Sequence, residues 1–312
     1  SLYIIHSMST FYTHQHKNKF KTWTLMSVFL GVVIALGWFI SYQTGSVGIL
    51  YISVIIAVVM NVWAYWFSDK TVLKMTNAKE VSFKDAPELH RIVENLSITA
   101  GLPKPKVYII EEAAPNAFAT GRDKHHAVVA VTTGLLGVLN KRELEGVIAH
   151  ELSHIGNNDM LVSTVAVVLV GMITIASDML LRGSMFGGRD SEGKGNAVIL
   201  ILGLVLALLM PLIGKLFQLA ISRKRELLAD ATGSMLTRYP EGLATALEKI
   251  HAHGSKMKSA NHATAHLFIA NPFGLKRAAT YVNKLFLTHP PVEVRTQLLR
   301  EMDNIKNEKT TQ

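Results

Sequence analysis

No cysteine occurs among the 312 residues of this chain. That absence excludes a disulfide-stapled secreted scaffold and any thiolate metal site. Charge is also scarce: 18% of residues are charged against 49% hydrophobic, which excludes a disordered chain. Acidic residues are the scarcer sign, 23 against 32 Lys and Arg, and the net charge is +9. Such a balance suits an anionic surface, whether membrane or nucleic acid. The chain has no glycine-rich phosphate loop and no internal repeat beyond paired apolar runs. Those runs are what the sequence has in excess. Its mean hydropathy of +0.26 requires either a very large core or residence in lipid.

Two runs, Trp23 to Tyr42 and Val47 to Phe67, contain no charged residue. Each can cross a hydrocarbon layer of about 30 Å at about 1.5 Å per helical residue. Only Gln43 to Ser46 separates them, which predicts a tight hairpin with Trp and Tyr at its ends. A third run, Val162 to Leu181, carries Ser163, Thr164, Thr174, Ser177 and Asp178, so one face is expected against other helices. The fourth, Ala197 to Ile221, contains Pro211 and ends near Lys215. Lys17, Lys19 and Lys21 precede the first run and Lys70 and Lys74 follow the second. The positive-inside rule then puts the N-terminus and the segment after Phe67 in the cytoplasm. The basic clusters sit beside the runs, so lipid headgroups explain them and no nucleic-acid partner is expected.

The expected organisation follows: residues 1–22 an N-terminal cytoplasmic arm, 23–67 and 160–221 transmembrane hairpins, 68–159 and 222–312 two parts of one domain. Within the arm, residues 1–16 hold His6, His14 and His16 without a regular period and read as a disordered tail, with Met8 a candidate start. Patterning predicts helices over 87–100, 141–155, 241–252 and 293–302, and strands over 106–110, 116–120 and 127–132. The fold class is α+β, mainly helical: four transmembrane helices and a domain with a small β-sheet.

The chemistry lies in His150-Glu151-Leu152-Ser153-His154. Residues four apart share a helix face one turn apart, so both imidazoles reach one tetrahedral ion. Glu151 sits where its carboxylate can hold an attacking water and take its proton. Two histidines need a third protein ligand. Asp159 would face away from the pair on a continued helix. Glu226 and Asp230, again four apart and just after the fourth run, serve better. Glu226 would ligate, and Asp230 would accept the second ring N–H of a histidine ligand. An even number of spans returns the chain to the side it left, which brings these distant segments together.

Together with Asn116 to Gly121 and Thr288-His289-Pro290-Pro291…Arg295, these segments resemble the HtpX membrane metalloproteases, relatives of the CAAX-prenyl endoproteases. The resemblance covers nearly the whole chain after residue 20 and implies a metalloprotease domain of zincin type. It implies one Zn²⁺ per chain on His150, His154 and Glu226, with Glu151 as general base. It also implies membrane-protein substrates cut at the cytoplasmic face of a bacterial inner membrane, in envelope-stress quality control. Asn116, on an expected edge strand, would hold a substrate carbonyl, and His289 would donate to the developing oxyanion. Arg295 would hold the site wall or form a surface salt bridge. His125, His126, His251, His253, His262 and His266 have no companion motif and read as surface or packing residues. The alternatives are a CAAX-type processing protease of narrow substrate range, or a catalytically inactive membrane scaffold or chaperone.

Overall fold

The computed structural model describes residues 2–186, 222–258, 264–273 and 290–310. The fourth apolar run and His289 lie outside them. Helix α1 is continuous over Leu2–Thr44, and α2 follows over Val47–Trp66. Residues 2–16, expected as a disordered tail, are thus helical and continuous with the first apolar run. They contain neither Pro nor Gly, so nothing in them stops a helix that the apolar run propagates. The part of α1 fit to cross a bilayer is Asn18–Thr44, 27 residues, and α2 supplies a second span of 20. Their outer faces leave Trp38 58% and Ile55 62% exposed, a continuous apolar surface suited to lipid.

After α3 (Ser68–Met75) come β1 (Lys79–Glu80), α4 (Pro87–Ala100), β2 (Lys106–Ile110), β3 (Ala117–Gly121) and β4 (Ala127–Thr132). The sheet order is β1-β2-β4-β3. Strand β4 is parallel to β2 and antiparallel to β3, with Ala117 opposite Val131 and Gly121 opposite Ala127. The expected edge position of the 116–120 strand is met, one residue displaced.

Helices α5 (Thr133–Val138) and α6 (Lys141–Gly156) follow. Asn140 and Glu143 form a reciprocal capping box that fixes the start of α6. Most of α6 between Glu143 and Ile155 is buried, so its histidines stand inside the molecule. On its far side pack α8 (Arg223–Thr237) and α9 (Pro240–His253), and α10 (Val292–Thr310) closes the domain. Two glycines permit the close crossing. A Cβ on Gly233 of α8 would lie 2.9 Å from the His150 backbone nitrogen, and one on Gly146 would lie 2.8 Å from that of Leu243 in α9. These contacts bring α8 alongside the His-Glu-x-x-His turn.

Helix α7 (Asp159–Phe186) leaves α6 at 84°. Its first half is packed rather than lipid-facing. Leu161, Val162, Val165 and Leu169 lie against Leu25, Met26 and Phe29 of α1 and Ala64 of α2. The polar residues in the third run signalled this burial. Among the described residues two helices qualify as spans, or three if α6 and α7 count as one bent element.

Candidate metal centre

His150 and His154 project from one face of α6 with their Nε2 atoms 3.2 Å apart. Glu226, in the first turn of α8, places its two carboxylate oxygens 3.7 Å from His150 Nε2 and 3.5 Å from His154 Nε2. Two ligands on one tetrahedral zinc at 2.0–2.1 Å stand roughly 3.3 Å apart, so the spacing fits the ion. The donor set fits as well. Each Nδ1 faces a carboxylate, which leaves both Nε2 lone pairs and Glu226 converging on one point. Among the described residues this is the one cluster of His and acidic groups gathered closely enough for a metal, with ligand atoms within 4.8 Å of one another.

His150 Nδ1 lies 2.9 Å from Asp230 Oδ1. Arg295 is buried and grips Asp230 with two hydrogen bonds, Nε to Oδ2 at 2.8 Å and Nη2 to Oδ1 at 2.6 Å. It is therefore a buried partner of an acidic group and not part of a surface salt bridge. Burial alone would raise the Asp230 pKa, but the adjacent guanidinium overrules it and holds the group at about 2. Burial pushes the His150 pKa down, the direction a neutral ligand needs.

Asp159 corrects the sequence reading. Helix α6 stops at Gly156, and Asn158 adopts a left-handed φ of 56°. The chain turns there, and Asp159 at the start of α7 brings Oδ2 to 3.3 Å from His154 Nδ1. The signal available in sequence was the Asn157-Asn158 pair, a helix-ending dipeptide. Burial works against a charged His154, yet Glu226 and Asp159 outweigh it and lift the pKa of the metal-free imidazole to about 9.

Glu151 is buried beside the histidines, and desolvation raises its pKa to about 7. The backbone N–H of Ala119 on β3 donates to it. A carboxylate titrating near neutrality is suited to accept and return a proton.

The outer edge of β3 is occupied by the chain itself. Ile269 N–H donates to Ala117 O at 2.9 Å. The Asn116 side chain donates through Nδ2 to Ala270 O at 2.9 Å and accepts from Ala270 N–H at 3.1 Å. The amide expected to hold a substrate carbonyl thus holds Ala270. Residues 265–270 also roof the site, where His266, Leu267 and Ile269 close a space of about 40 Å³ with room for a few waters. His266, read as a surface or packing residue, lines this space.

Comparison with known proteins bears on this geometry. Peptidase family M48 matches residues 84–303, which include every ligand and carboxylate described above. The chain is 48% identical over 285 residues to a protease HtpX homolog of Pyrococcus furiosus, covering 90% of this chain and 95% of that one. To the homolog of Thermoanaerobacter pseudethanolicus it is 45% identical over 303 residues, covering 95% and 99%. Among solved structures, Ste24p of S. mikatae shares the fold at a TM-score of 0.50 and 20% identity, covering 92% of this chain and 66% of that one. With residues 84–303 matched by the family and two relatives at 45–48% identity over nearly its whole length, the chain belongs to peptidase family M48.

Proposed function

We propose that this membrane-associated metalloendopeptidase is zinc-dependent and cuts damaged or misfolded membrane proteins at the cytoplasmic face of a bacterial inner membrane, in envelope-stress quality control. The observation that carries the reading is the meeting of His150, His154 and Glu226 beside a buried Glu151, where α7 packs on the membrane hairpin. When bound, zinc polarises the scissile carbonyl and lowers the pKa of a water to about 7. Glu151 takes the proton of that water and returns it to the leaving amine. Asp230 and Asp159 fix the proton of the two imidazoles on Nδ1 and so turn each Nε2 toward the metal position. Water is the attacking group, so no acyl-enzyme forms.

An extended substrate adds to the β3 edge in the place now held by Ile269 and Ala270, and Asn116 exchanges Ala270 for substrate backbone. Recognition through backbone accounts for broad sequence tolerance. His289, outside the described residues, is assigned to the oxyanion. The basic residues at the foot of the hairpin, Lys19 and Lys21 with Lys70 and Lys74, support a cytoplasmic domain and N-terminus. An inactive scaffold would not need a base beside the site, and broad backbone pairing favours quality control over narrow CAAX-type processing.

The test compares membrane-proteome fragments in cells carrying the wild type and Glu151→Gln. Fragments found only with wild type and mapping to cytoplasmic loops are expected. Identical fragments in both, or cuts confined to soluble proteins, would overturn the reading.

A further inference from the structure

Each histidine is braced by a carboxylate, and each carboxylate must itself be held in place. For Asp230 the holder is Arg295, inside the domain. For Asp159 the hydrogen bond comes from the membrane hairpin, with the Arg225 guanidinium farther off at 3.8 Å. Asn18, on α1, is 3% exposed and donates from Nδ2 to Asp159 Oδ1 at 2.5 Å and to the Asn157 carbonyl at 3.2 Å. Both partners accept only, so the amide must present its nitrogen. The remaining Asp159 oxygen faces His154 Nδ1.

We propose that Asn18 is a positioning residue for the metal centre, acting through Asp159 on His154, so that the first membrane helix forms part of the active-site framework. This deepens the proposed function, because it rests on His154 being a zinc ligand. The linkage is short and stiff. Asn18 opens the lipid-crossing part of α1, and the next turns bury Leu25, Met26 and Phe29 against α7. The same α7 starts with Asp159, so one helix pair fixes both ends of the hydrogen bond. The amide also bonds the Asn157 carbonyl at the bend that turns α7 away from α6. A neutral donor fits this place. It fixes the orientation of the carboxylate without neutralising it, and Asp159 keeps its charge for the imidazole.

The experiment measures the zinc dissociation constant of full-length protein by chelator competition, with steady-state kinetics alongside. Wild type should bind one zinc and His154→Ala should lose it; retention by His154→Ala would overturn both the site and this inference. Asn18→Leu, close in volume, should weaken zinc about tenfold and lower kcat with KM unchanged. Asn18→Ala should do the same, and it replaces the leucine variant if that one fails to fold. Thr22→Val is the packing control. Thr22 is equally buried on α1 but bonds only its own helix carbonyl, so zinc affinity should stay at the wild-type value. The double variant Asn18→Leu/Asp159→Asn should bind zinc no more weakly than Asp159→Asn alone. Wild-type affinity in both Asn18 variants, additivity in the double variant, or equal weakening by Thr22→Val would each overturn the proposal while leaving the zinc site standing.

Discussion

The two sides of the metal centre do the same task with different chemistry. On the domain side, His150 leans on Asp230, which is locked by two short hydrogen bonds from a guanidinium buried to 1% exposure. On the membrane side, His154 leans on Asp159, whose holders are a neutral amide and, at 3.8 Å, the Arg225 guanidinium. The domain side is charge-compensated within helices α8 and α10 and owes nothing to lipid. The membrane side is assembled from α1 and α7, so its geometry depends on how those helices sit together. The first brace needs nothing from the hairpin; the second, as proposed above, ties the geometry of the site to it.

The largest effects come from changes that bear on both sides at once. Glu226→Gln removes the ligand that faces both histidines. Zinc and activity should be lost together, by more than the 10–100-fold typical of an outer partner. Glu151→Gln leaves both carboxylate braces intact, so zinc should stay at one per chain while turnover falls about 10²–10⁴-fold. Metal analysis and a casein digestion assay on the same preparations separate the two. A zinc-loaded Glu226→Gln, or near-normal proteolysis by Glu151→Gln, would redraw the site.

Arg295→Met attacks only the domain side. It leaves Asp230 buried without its counter-charge, and such a loss costs about 3–5 kcal/mol of stability. Asn18→Leu removes a hydrogen bond to a charged group, at about 1.5–3 kcal/mol. Unfolding followed by tryptophan fluorescence in one detergent should rank the two in that order. The reverse ranking would show that the neutral amide, not the ion pair, is the stiffer brace.

Much of the domain side was legible in the sequence, because its residues sit in regular patterns. The i, i+4 spacings of His150 with His154 and of Glu226 with Asp230 are helix-face signals, and the capped, apolar-patterned 141–155 segment declared its helix. The membrane side was not legible in this way. Asp159 was read on a helix that in fact ends at Gly156, and the left-handed Asn158 is a backbone event that periodicity does not register. Asn18 carries no spacing signal at all. Its partner lies 141 residues away, and it was assigned to an N-terminal arm that the structure shows as part of a long helix. The edge of β3 was placed correctly, but occupation of that edge by Ala270 requires a contact spanning 154 residues.

Asp230→Asn and Asp159→Asn compare the braces directly. Each should weaken zinc about 10–100-fold, since each removes the acceptor that orients one ligand. On the sequence reading, with Asp159 turned away, the second variant would bind zinc normally. Equal losses would show that both braces bear on the metal. A wild-type value for Asp159→Asn would return the membrane side to a purely architectural role.

The smallest effect separates the two sides by pH in the protein stripped of zinc. Asp230 titrates at about 2 in the fold against an ordinary 3.8, a depressed value. Its stabilisation, roughly 2 kcal/mol, is therefore complete above pH 3.8 and is lost as the pH falls through 2. His154 has the opposite sign, with a folded value of about 9 against an ordinary 6.5. Its stabilisation is complete below pH 6.5 and is lost as the pH rises through 9. Unfolding midpoints of the stripped protein should thus sag at both ends for different reasons. Asp230→Asn should remove the acid limb and leave the alkaline one, and His154→Gln should remove the part of the alkaline fall near pH 9 while leaving the part that Glu151, raised to about 7, contributes. Restoring zinc should flatten the alkaline limb, because the ion takes the neutral imidazole and its uptake at pH 7 releases the His154 proton. If zinc uptake releases no proton at pH 7, His154 is already neutral in the stripped protein, and the membrane side holds its histidine by packing rather than by charge.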